Sequence, residues 1–443
     1  MRVCQLRLVF APARSDRTTV VLGKRPTALG REGRGPDVFV LPDRHVSRLH
    51  ATVSYDPASD GWIFEDKGSH NGSFVDGKRV QTAVLRHGSI VRVGACVLLM
   101  LDHNVSVEDD SPSNFLFGPS NAMQHVRREV QLVARQRSPV LILGETGSGK
   151  ELVAAEIHRL SGRKGNLVPV NCAAVAANLA ESELFGHVAG AFTGATRSAS
   201  GLFVAAEGGT LLLDEVGELP LELQPKLLRA LALGEIRPVG ATAATGVDVR
   251  IIAATNRDLD GEVKAGHFRA DLLARLAAWR IEVPPLRARP EDVLPLARLF
   301  LERATGPARL SADSAEALLL YDWPYNVREL EQLIAGAVVR ANADARAHGE
   351  RVLRVEHLPQ ALGAPLRARS TPVIAASAST PPLSAIVARD AAPSAEELAL
   401  ALRHYDGNVS QVARFFGRTR KQIYRWASAL GVDIDETRER DEE

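Results

Sequence analysis

Cysteine is scarce in this chain, with Cys4, Cys96 and Cys172 the only three among 443 residues. They lie far apart in apolar strand-like runs and lack metal-ligand spacing. This excludes a disulfide framework and a cysteine-held zinc site, and predicts buried, reduced thiols. No run of about 18 apolar residues occurs, and the opening MRVCQLRLVFAPARSDR breaks into charge too early for a signal peptide. Neither a membrane span nor a leader is therefore expected, and the chain reads as cytoplasmic with no membrane partner. Net charge is almost absent as well: 54 basic against 53 acidic residues leave +1, which by itself indicates neither nucleic acid nor a membrane surface. Internal repeats are missing too.

What is present is the composition of a folded chain, 45% hydrophobic and 24% charged, which excludes bulk disorder. The length gives a prior of roughly three domains. Residues 1–101 hold short β-type runs (QLRLVF, TTVVL, HATVSY, GWIFED, SIVRVG, CVLLML) between Gly, Asp, Asn and Pro turns, the pattern of an all-β sandwich. An acidic, polar stretch at 102–114 reads as a linker. From 115 to 285, apolar strand runs (PVLILG, LVPVN, GTLLLDE, VRIIAAT) alternate with amphipathic helical segments, which predicts a parallel sheet covered by helices. Residues 286–345 have helical periodicity only, as in an appended helical subdomain. A second linker is expected over 346–393, because 364–393 is rich in Ala, Ser and Pro and cannot build a core. A helical unit at 394–433, opened by a Ser-x-x-Glu capping box at 394–397, and an acidic tail at 434–443 complete the chain.

The strongest chemical signal is GETGSGKE: Gly144, Glu145, Thr146, Gly147, Ser148, Gly149, Lys150 and Glu151. It lies between a strand run and a helix pattern, where a glycine-rich loop aims backbone N–H groups and a helix N-terminus at phosphate. Lys150 is placed to reach the β- and γ-phosphates of ATP. Glu151 stands where a metal-binding Ser or Thr is usual, so a strict motif match fails. In LLLDE two carboxylates leave the end of a buried strand: Asp214 suits Mg²⁺, directly or through water, and Glu215 suits polarising the attacking water. Acidic strand ends are also ordinary loop boundaries, and Asn256, closing IIAATN, is either a γ-phosphate or water ligand or a turn residue.

GETGSGKE, ESELFGHVAGAFTGA (181–195), GGTLLLDEVGELP (208–220), RIIAATNRDL (250–259), HFRADLLARL (267–276) and WPYNVREL (323–330) together resemble the AAA+ domain of bacterial enhancer-binding proteins, the activators of sigma-54 RNA polymerase. The resemblance implies an ATPase that forms a homo-oligomer, a hexamer by expectation. It assigns the GAFTGA residues Gly190, Ala191, Phe192, Thr193, Gly194 and Ala195 to sigma-54 contact, with Phe192 and Thr193 making it. It further implies trans-acting arginines at Arg269 and Arg275, a γ-phosphate sensor at Arg328, and an asparagine, Asn171, that restrains the water-polarising glutamate. Glu151 is normal for the family. Two positions depart from it: Tyr325 replaces a glycine, and Val188-Ala189 replace a charged pair.

In the amino-terminal module, Gly30-Arg31, Ser47-Arg48-Leu49-His50, Asn71-Gly72 and the closing LRHGSIVRVG resemble the forkhead-associated (FHA) domain. The resemblance implies phosphothreonine-peptide binding, with Arg31 and Ser47 on the phosphate, Arg48 and His70 as auxiliaries, Asn71 on the peptide backbone and His50 in a supporting role. An arginine and a hydroxyl suit a phosphate through charge-assisted hydrogen bonds. In the carboxy-terminal unit, residues 408–430 carry five basic and no acidic residues, with Val412, Phe416, Ile423 and Leu430 as candidate core around Gly417. A basic helix is often a solvated face, but this order resembles a Fis-type helix-turn-helix. Thr419, Arg420, Lys421 and Tyr424 are then candidates for base or phosphate contact, with Arg418 and Arg425 for phosphate contact on upstream promoter DNA.

The expected whole is a multidomain protein: an all-β FHA sandwich, an α/β AAA+ P-loop ATPase with a helical subdomain, and an all-α helix-turn-helix. Its expected role is a sigma-54-dependent activator that uses ATP and Mg²⁺, with a phosphothreonine protein, sigma-54 RNA polymerase holoenzyme and DNA as partners. Two rivals are a general AAA+ remodelling ATPase and a non-catalytic DNA-bound phosphoprotein scaffold.

Overall fold

The computed structural model describes residues 2–104, 116–348 and 352–362, apart from 16, 58–59, 194 and 306–308, and selected positions between 393 and 430. The capping box at 394–397, Gly417 and the acidic tail include or lie at positions outside the described residues. The chain divides into two compact units, Met1–Ser370 and Thr371–Glu443.

The first unit opens with a β-sandwich of strands β1 (Arg2–Phe10), β2 (Thr19–Val21), β3 (Thr27–Gly30), β4 (Val38–Val40), β5 (Ala51–Asp56), β6 (Gly61–Asp66), β7 (Ser73–Val75), β8 (Lys78–Val80), β9 (Thr82–Leu85), β10 (Ile90–Val93) and β11 (Cys96–Asn104). One sheet has the order β2-β1-β11-β10-β7-β8, the other β4-β3-β5-β6-β9. Leu6, Leu29, Phe39, Val53, Phe64 and Leu98 fill the space between them. Strand β11 runs to Asn104, so the sheet reaches into the segment expected to be linker.

Next come α1 (Asn121–Ala134), β12 (Val140–Leu143), α2 (Lys150–Ser161), β13 (Leu167–Asn171), α3 (Ala177–Phe185), α4 (Leu202–Ala205), β14 (Thr210–Asp214), α5 (Gln224–Leu233), the short pair β15 (Glu235–Ile236) and β16 (Thr245–Gly246), β17 (Arg250–Thr255), α6 (Leu259–Lys264), α7 (Ala270–Leu276) and β18 (Trp279–Glu282). The main sheet is parallel, in the order β13-β14-β17-β12-β18. Residues 250–255 are all buried, as strands covered by helices on both faces must be. Every strand of this sheet ends at the same edge, and the P-loop, Asp214-Glu215 and Asn256 all emerge there.

The helical subdomain, or lid, comprises α8 (Pro290–Thr305), β19 (Arg309–Leu310), α9 (Ala312–Leu320), α10 (Asn326–His348) and β20 (Val352–Leu353). It extends past 345, where a linker was expected to begin. Strand β20 pairs with β19, and Leu353, Leu358 and Leu362 are buried in the lid core. Three spaced leucines in a polar stretch give no strong periodic signal; their burial depends on the groove that α9 and α10 leave.

In the second unit, α11 (Arg420–Leu430) buries Ile423 and Ala427 with Leu398, Leu402, Val409 and Val412, and Phe416 meets Trp426 edge-on with ring centroids 6.0 Å apart, an ordinary spacing for an aromatic pair. No helix among the described residues is long and apolar enough to cross a membrane. Cys96 and Cys172 are buried thiols, as expected, whereas Cys4 near the start of β1 is only half-buried.

Candidate functional site: a P-loop nucleotide site and a β-sandwich loop cluster

The P-loop joins β12 to α2 through Gly147 at φ 74° and Gly149 at φ 108°, conformations that glycine adopts without a side-chain penalty. Lys150, the first residue of α2, is 6% exposed; its Nζ donates to the Gly144 carbonyl at 3.0 Å and lies 3.4 Å from Glu215 Oε1. Glu215 follows β14 in the left-handed region, φ 50°, a strained conformation for a side-chain-bearing residue. Its other carboxylate oxygen accepts the Asn256 backbone N–H at 3.2 Å, and Asn256 Nδ2 donates to Thr146 Oγ1 at 3.0 Å. The ends of β12, β14 and β17 are thus tied into one polar cluster.

Burial and the neighbouring Glu215 push the Asp214 carboxyl up from its ordinary range, with Lys150 acting the other way. The same surroundings push the Cys172 thiol up to about 12, burial first and the two carboxylates after it. Glu215 and Glu151 both add negative charge around Asp214, with Lys150 the opposing cation. Beside the P-loop, a cavity of about 650 Å³ opens against His125, Glu129, Val283 and Pro284.

Asn171 stands beside Asp214 in the β13–β14 register, but its Oδ1 accepts from its own loop, from Ala173 N–H at 2.9 Å. In this arrangement Glu215 is held by Lys150 and Asn256, not by Asn171.

The lid closes over the P-loop from the start of α10. Val327 N–H donates to the Gly147 carbonyl at 3.0 Å, and Asn326 Nδ2 donates to Glu145 Oε2 and to the Thr146 carbonyl, both at 3.1 Å. Arg287 forms a two-bond ion pair with Glu145, which, with Asn326, holds that carboxyl down at about 2. Arg328 reaches Glu151 at 3.5 Å. Positive φ in this turn falls at Trp323 (53°) and Asn326 (55°), not at Tyr325. The tyrosine that replaces the family glycine therefore incurs no left-handed strain and leaves α10 seated on the P-loop.

In the sandwich, the loops at one end bring four of the five candidate residues together, Arg31 and His70 through their backbone N–H groups and Ser47 and Asn71 through their side chains, while the Arg31 guanidinium pairs with Glu32 at 3.3 Å. Arg31 N–H donates to the Ser47 carbonyl at 3.0 Å, His70 N–H approaches Ser47 Oγ at 3.4 Å, and Asn71 Nδ2 donates to the His45 carbonyl at 2.7 Å. Arg48 is exposed on the same loop, and its carbonyl lies so close to Gly30 that a β-carbon there would stand 2.0 Å from it. His50 is fully buried, accepting from Ser47 N–H at 3.1 Å and lying 3.3 Å from the Gly72 carbonyl. It joins the two loops from inside.

Comparison with known proteins agrees with this layout. Residues 116–282 match the sigma-54 interaction domain, 287–372 the AAA+ ATPase lid domain and 27–94 the FHA domain. The regulatory protein LuxO of Vibrio cholerae is 44% identical over 331 residues, 72% of this chain and 62% of that protein. The nitric oxide reductase transcription regulator NorR2 of Cupriavidus necator is 45% identical over 327 residues, 71% and 63% of the two chains. Crystal structures of NtrX from Brucella abortus with ADP and with ATP superpose with a TM-score of 0.52 at 32% identity, covering 72% of this chain and 70% of that one. The chain belongs to the sigma-54-dependent transcriptional activator family. It spans under two thirds of the length of these curated relatives.

In this chain the GAFTGA segment is a surface turn, closed by Gly190 N–H to the Ala195 carbonyl at 2.8 Å, with Gly194 outside the described residues. Phe192 is 41% exposed and its ring lies 5.0 Å from that of His187, which is fixed by Ser182 at 2.7 Å and the Arg197 carbonyl at 3.0 Å. His187 was missed by motif reading, since a lone histidine five residues before the aromatic has no periodic signature. Val188, one of the two departures, seats the base of the turn through its N–H to the Val239 carbonyl. Arg269 caps α7 and pairs with Asp271, and Arg275 is exposed in the last turn of that helix. In the second unit Arg418, Thr419, Arg420, Lys421, Tyr424 and Arg425 are all exposed on or beside the leading half of α11.

Proposed function

We propose that this chain is an activator that couples ATP hydrolysis to remodelling of the closed promoter complex of sigma-54 RNA polymerase, under control of phosphothreonine recognition by its FHA domain. The observation that carries the reading is the joining of Lys150, Glu215 and Asn256 within hydrogen-bond reach in a chain that also exposes Phe192 and Thr193 on a glycine-bounded turn.

ATP lies with its phosphates along the P-loop N–H groups and the start of α2, and the adjoining cavity has room for the base. Lys150 holds the terminal phosphates. Mg²⁺, when bound, neutralises phosphate charge, and Asp214 is the carboxylate that would hold it. Glu215 polarises the attacking water, while Asn256 fixes the Glu215 carboxylate and the Thr146 side of the loop. Arg269 and Arg275, exposed and unattached to their own P-loop cluster, serve the site of a neighbouring subunit in a ring, a hexamer by family analogy. Seated on Gly147 and Glu151, α10 transmits the loss of the γ-phosphate through Arg328 as a movement of the lid. The GAFTGA turn then presents Phe192 and Thr193 to sigma-54.

Arg31 and Ser47 bind the phosphate of a phosphothreonine peptide, Arg48 and His70 flank it, and Asn71 aligns its backbone. Helix α11 enters the major groove of upstream DNA, with Thr419, Arg420, Lys421 and Tyr424 leading and Arg418 and Arg425 on phosphates. Thr193→Ala is expected to keep ATPase activity and lose transcription from a sigma-54 promoter. Full transcription by that variant would overturn the sigma-54 contact.

A further inference from the structure

Strands β10 and β11 bury both of their faces. Val91, Val93, Cys96, Leu98 and Met100 point into the sandwich, whereas Ile90, Val97, Leu99 and Leu101 belong to the lid core with Val293, Ala297 and Leu319. Where these strands meet α9, Arg92 donates through Nη1 to Glu316 Oε2 at 2.8 Å and to Asp313. Glu316 is 1% exposed with the sandwich in place, so its pair with Arg92 is an ion pair buried at the seam between sandwich and lid. The docking is therefore built into both partners.

The same guanidinium reaches toward the phosphopeptide loops. Arg92 Nε donates to the Gly94 carbonyl at 3.0 Å, and the next residue, Ala95, donates its N–H to Asp43 Oδ2 at 2.6 Å. A β-carbon at Gly94 would stand 2.4 Å from that oxygen, so only glycine fits the turn. Asp43 opens the loop that carries Ser47; its Oδ1 accepts His45 N–H at 3.1 Å, and His45 in turn supplies the carbonyl that holds Asn71. At the far side of the lid, Val327 and Asn326 bond the P-loop backbone.

We propose that this chain of contacts, Ser47 loop–Asp43–Gly94/Ala95–Arg92–Glu316–lid–P-loop, links phosphothreonine binding to nucleotide binding, with Arg92 as the positioning residue at the joint. The proposal rests on the FHA reading above. Sandwich and lid share one core and a buried ion pair, so a ligand that reorders residues 43–47 shifts the seat of α10 on Gly147. By linkage, nucleotide must alter peptide affinity by the same factor.

The test uses the full chain, a fluorescent ADP analogue, and a pool of phosphothreonine peptides with randomised flanks. Saturating peptide is expected to change the apparent Kd for the ADP analogue about fivefold or more in the wild type. Arg92→Met is expected to bind both ligands and show no coupling, with its folding checked by melting. Glu316→Gln probes the same joint from the lid side and replaces Arg92→Met if that variant fails to fold. No coupling in the wild type, or equal coupling in the variants, overturns the proposal. If the pool does not bind the wild type, the phosphothreonine reading fails separately. Hydrogen exchange then decides the linkage without peptide: ADP should alter protection of residues 43–47 and 90–99 in the wild type and not in Arg92→Met, and unchanged wild-type exchange overturns it.

Discussion

Glu215 shows how one residue can be placed by strain and hydrogen bonds together. Its left-handed backbone, φ 50°, turns the carboxylate back toward Lys150 and the Asn256 N–H, away from the direction in which β14 would have continued. Glu215→Gln keeps the shape and hydrogen-bond reach but removes the base. It is expected to lower the ATP turnover rate about 100-fold or more, with nucleotide affinity retained; turnover and nucleotide titration on the same preparation check this. Lys150, Asp214 and Glu215 stand out by residue type and spacing as candidates because phosphate chemistry admits few alternatives. His187, Asp43 and Arg92 carry no such signature. Asp43 and Arg92 act through partners 52 and 224 residues away, and His187 through side chains five residues to either side, a spacing that no strand or helix period marks.

At the scale of elements, the N-cap of α1 illustrates how the lid and the sheet are held together. Ser120 caps Met123 N–H at 3.2 Å and also gives its N–H and hydroxyl to Asp292 of α8, at 2.8 and 2.7 Å. Ser120→Ala is expected to destabilise the chain by about 2 kcal/mol, from the lost cap and the poorly satisfied buried carboxylate, read by thermal or denaturant unfolding. Burial pushes Asp292 from 3.8 up to about 6 against the opposing pull of Ser120 and Arg289. The folded state therefore binds this proton more tightly than the unfolded one. Its contribution to stability is full below about 4 and is lost as pH rises through about 6. Asp292→Asn should flatten that part of the stability–pH curve; an unchanged slope would assign it to other groups.

Elements differed in how legible they were. Strands β12, β13, β14 and β17 are continuous apolar runs and were read directly. Strand β18, WRIE, alternates polar and apolar residues at the sheet edge, and β7, β8 and β9 are three or four residues long, so none of them stands out from turn sequence. The run CVLLML was read as a strand, but its lack of alternation also meant that both faces are covered. Which body covers the second face, the lid, is a fact of tertiary structure.

For the whole molecule, the ring reading makes a quantitative prediction. Arg269→Ala subunits keep Glu215, and Glu215→Gln subunits keep Arg269. If the arginine acts across a subunit boundary, each variant alone is inactive, while an equal random mixture regains about a quarter of the wild-type sites. ATPase assays of the mixture against each variant check it, and no recovery would place Arg269 outside the neighbouring site.

By itself the sequence determined the β-sandwich of the FHA module and the α/β class of the AAA+ module. Glycine-rich turns, strand-end carboxylates and hydrophobic periodicity are local, and local geometry follows from residues close in the chain. Near-neutral charge proved uninformative because it sums a basic stretch at 408–430 with an acidic tail. Only the tertiary structure decided that the Asn171 side chain bonds its own loop, that the lid runs on to 362, and that Arg92 pairs with Glu316 224 residues away. Such pairings depend on which surfaces meet when separately formed elements pack. That is set by the shape and burial of whole faces, which no short stretch of residues specifies.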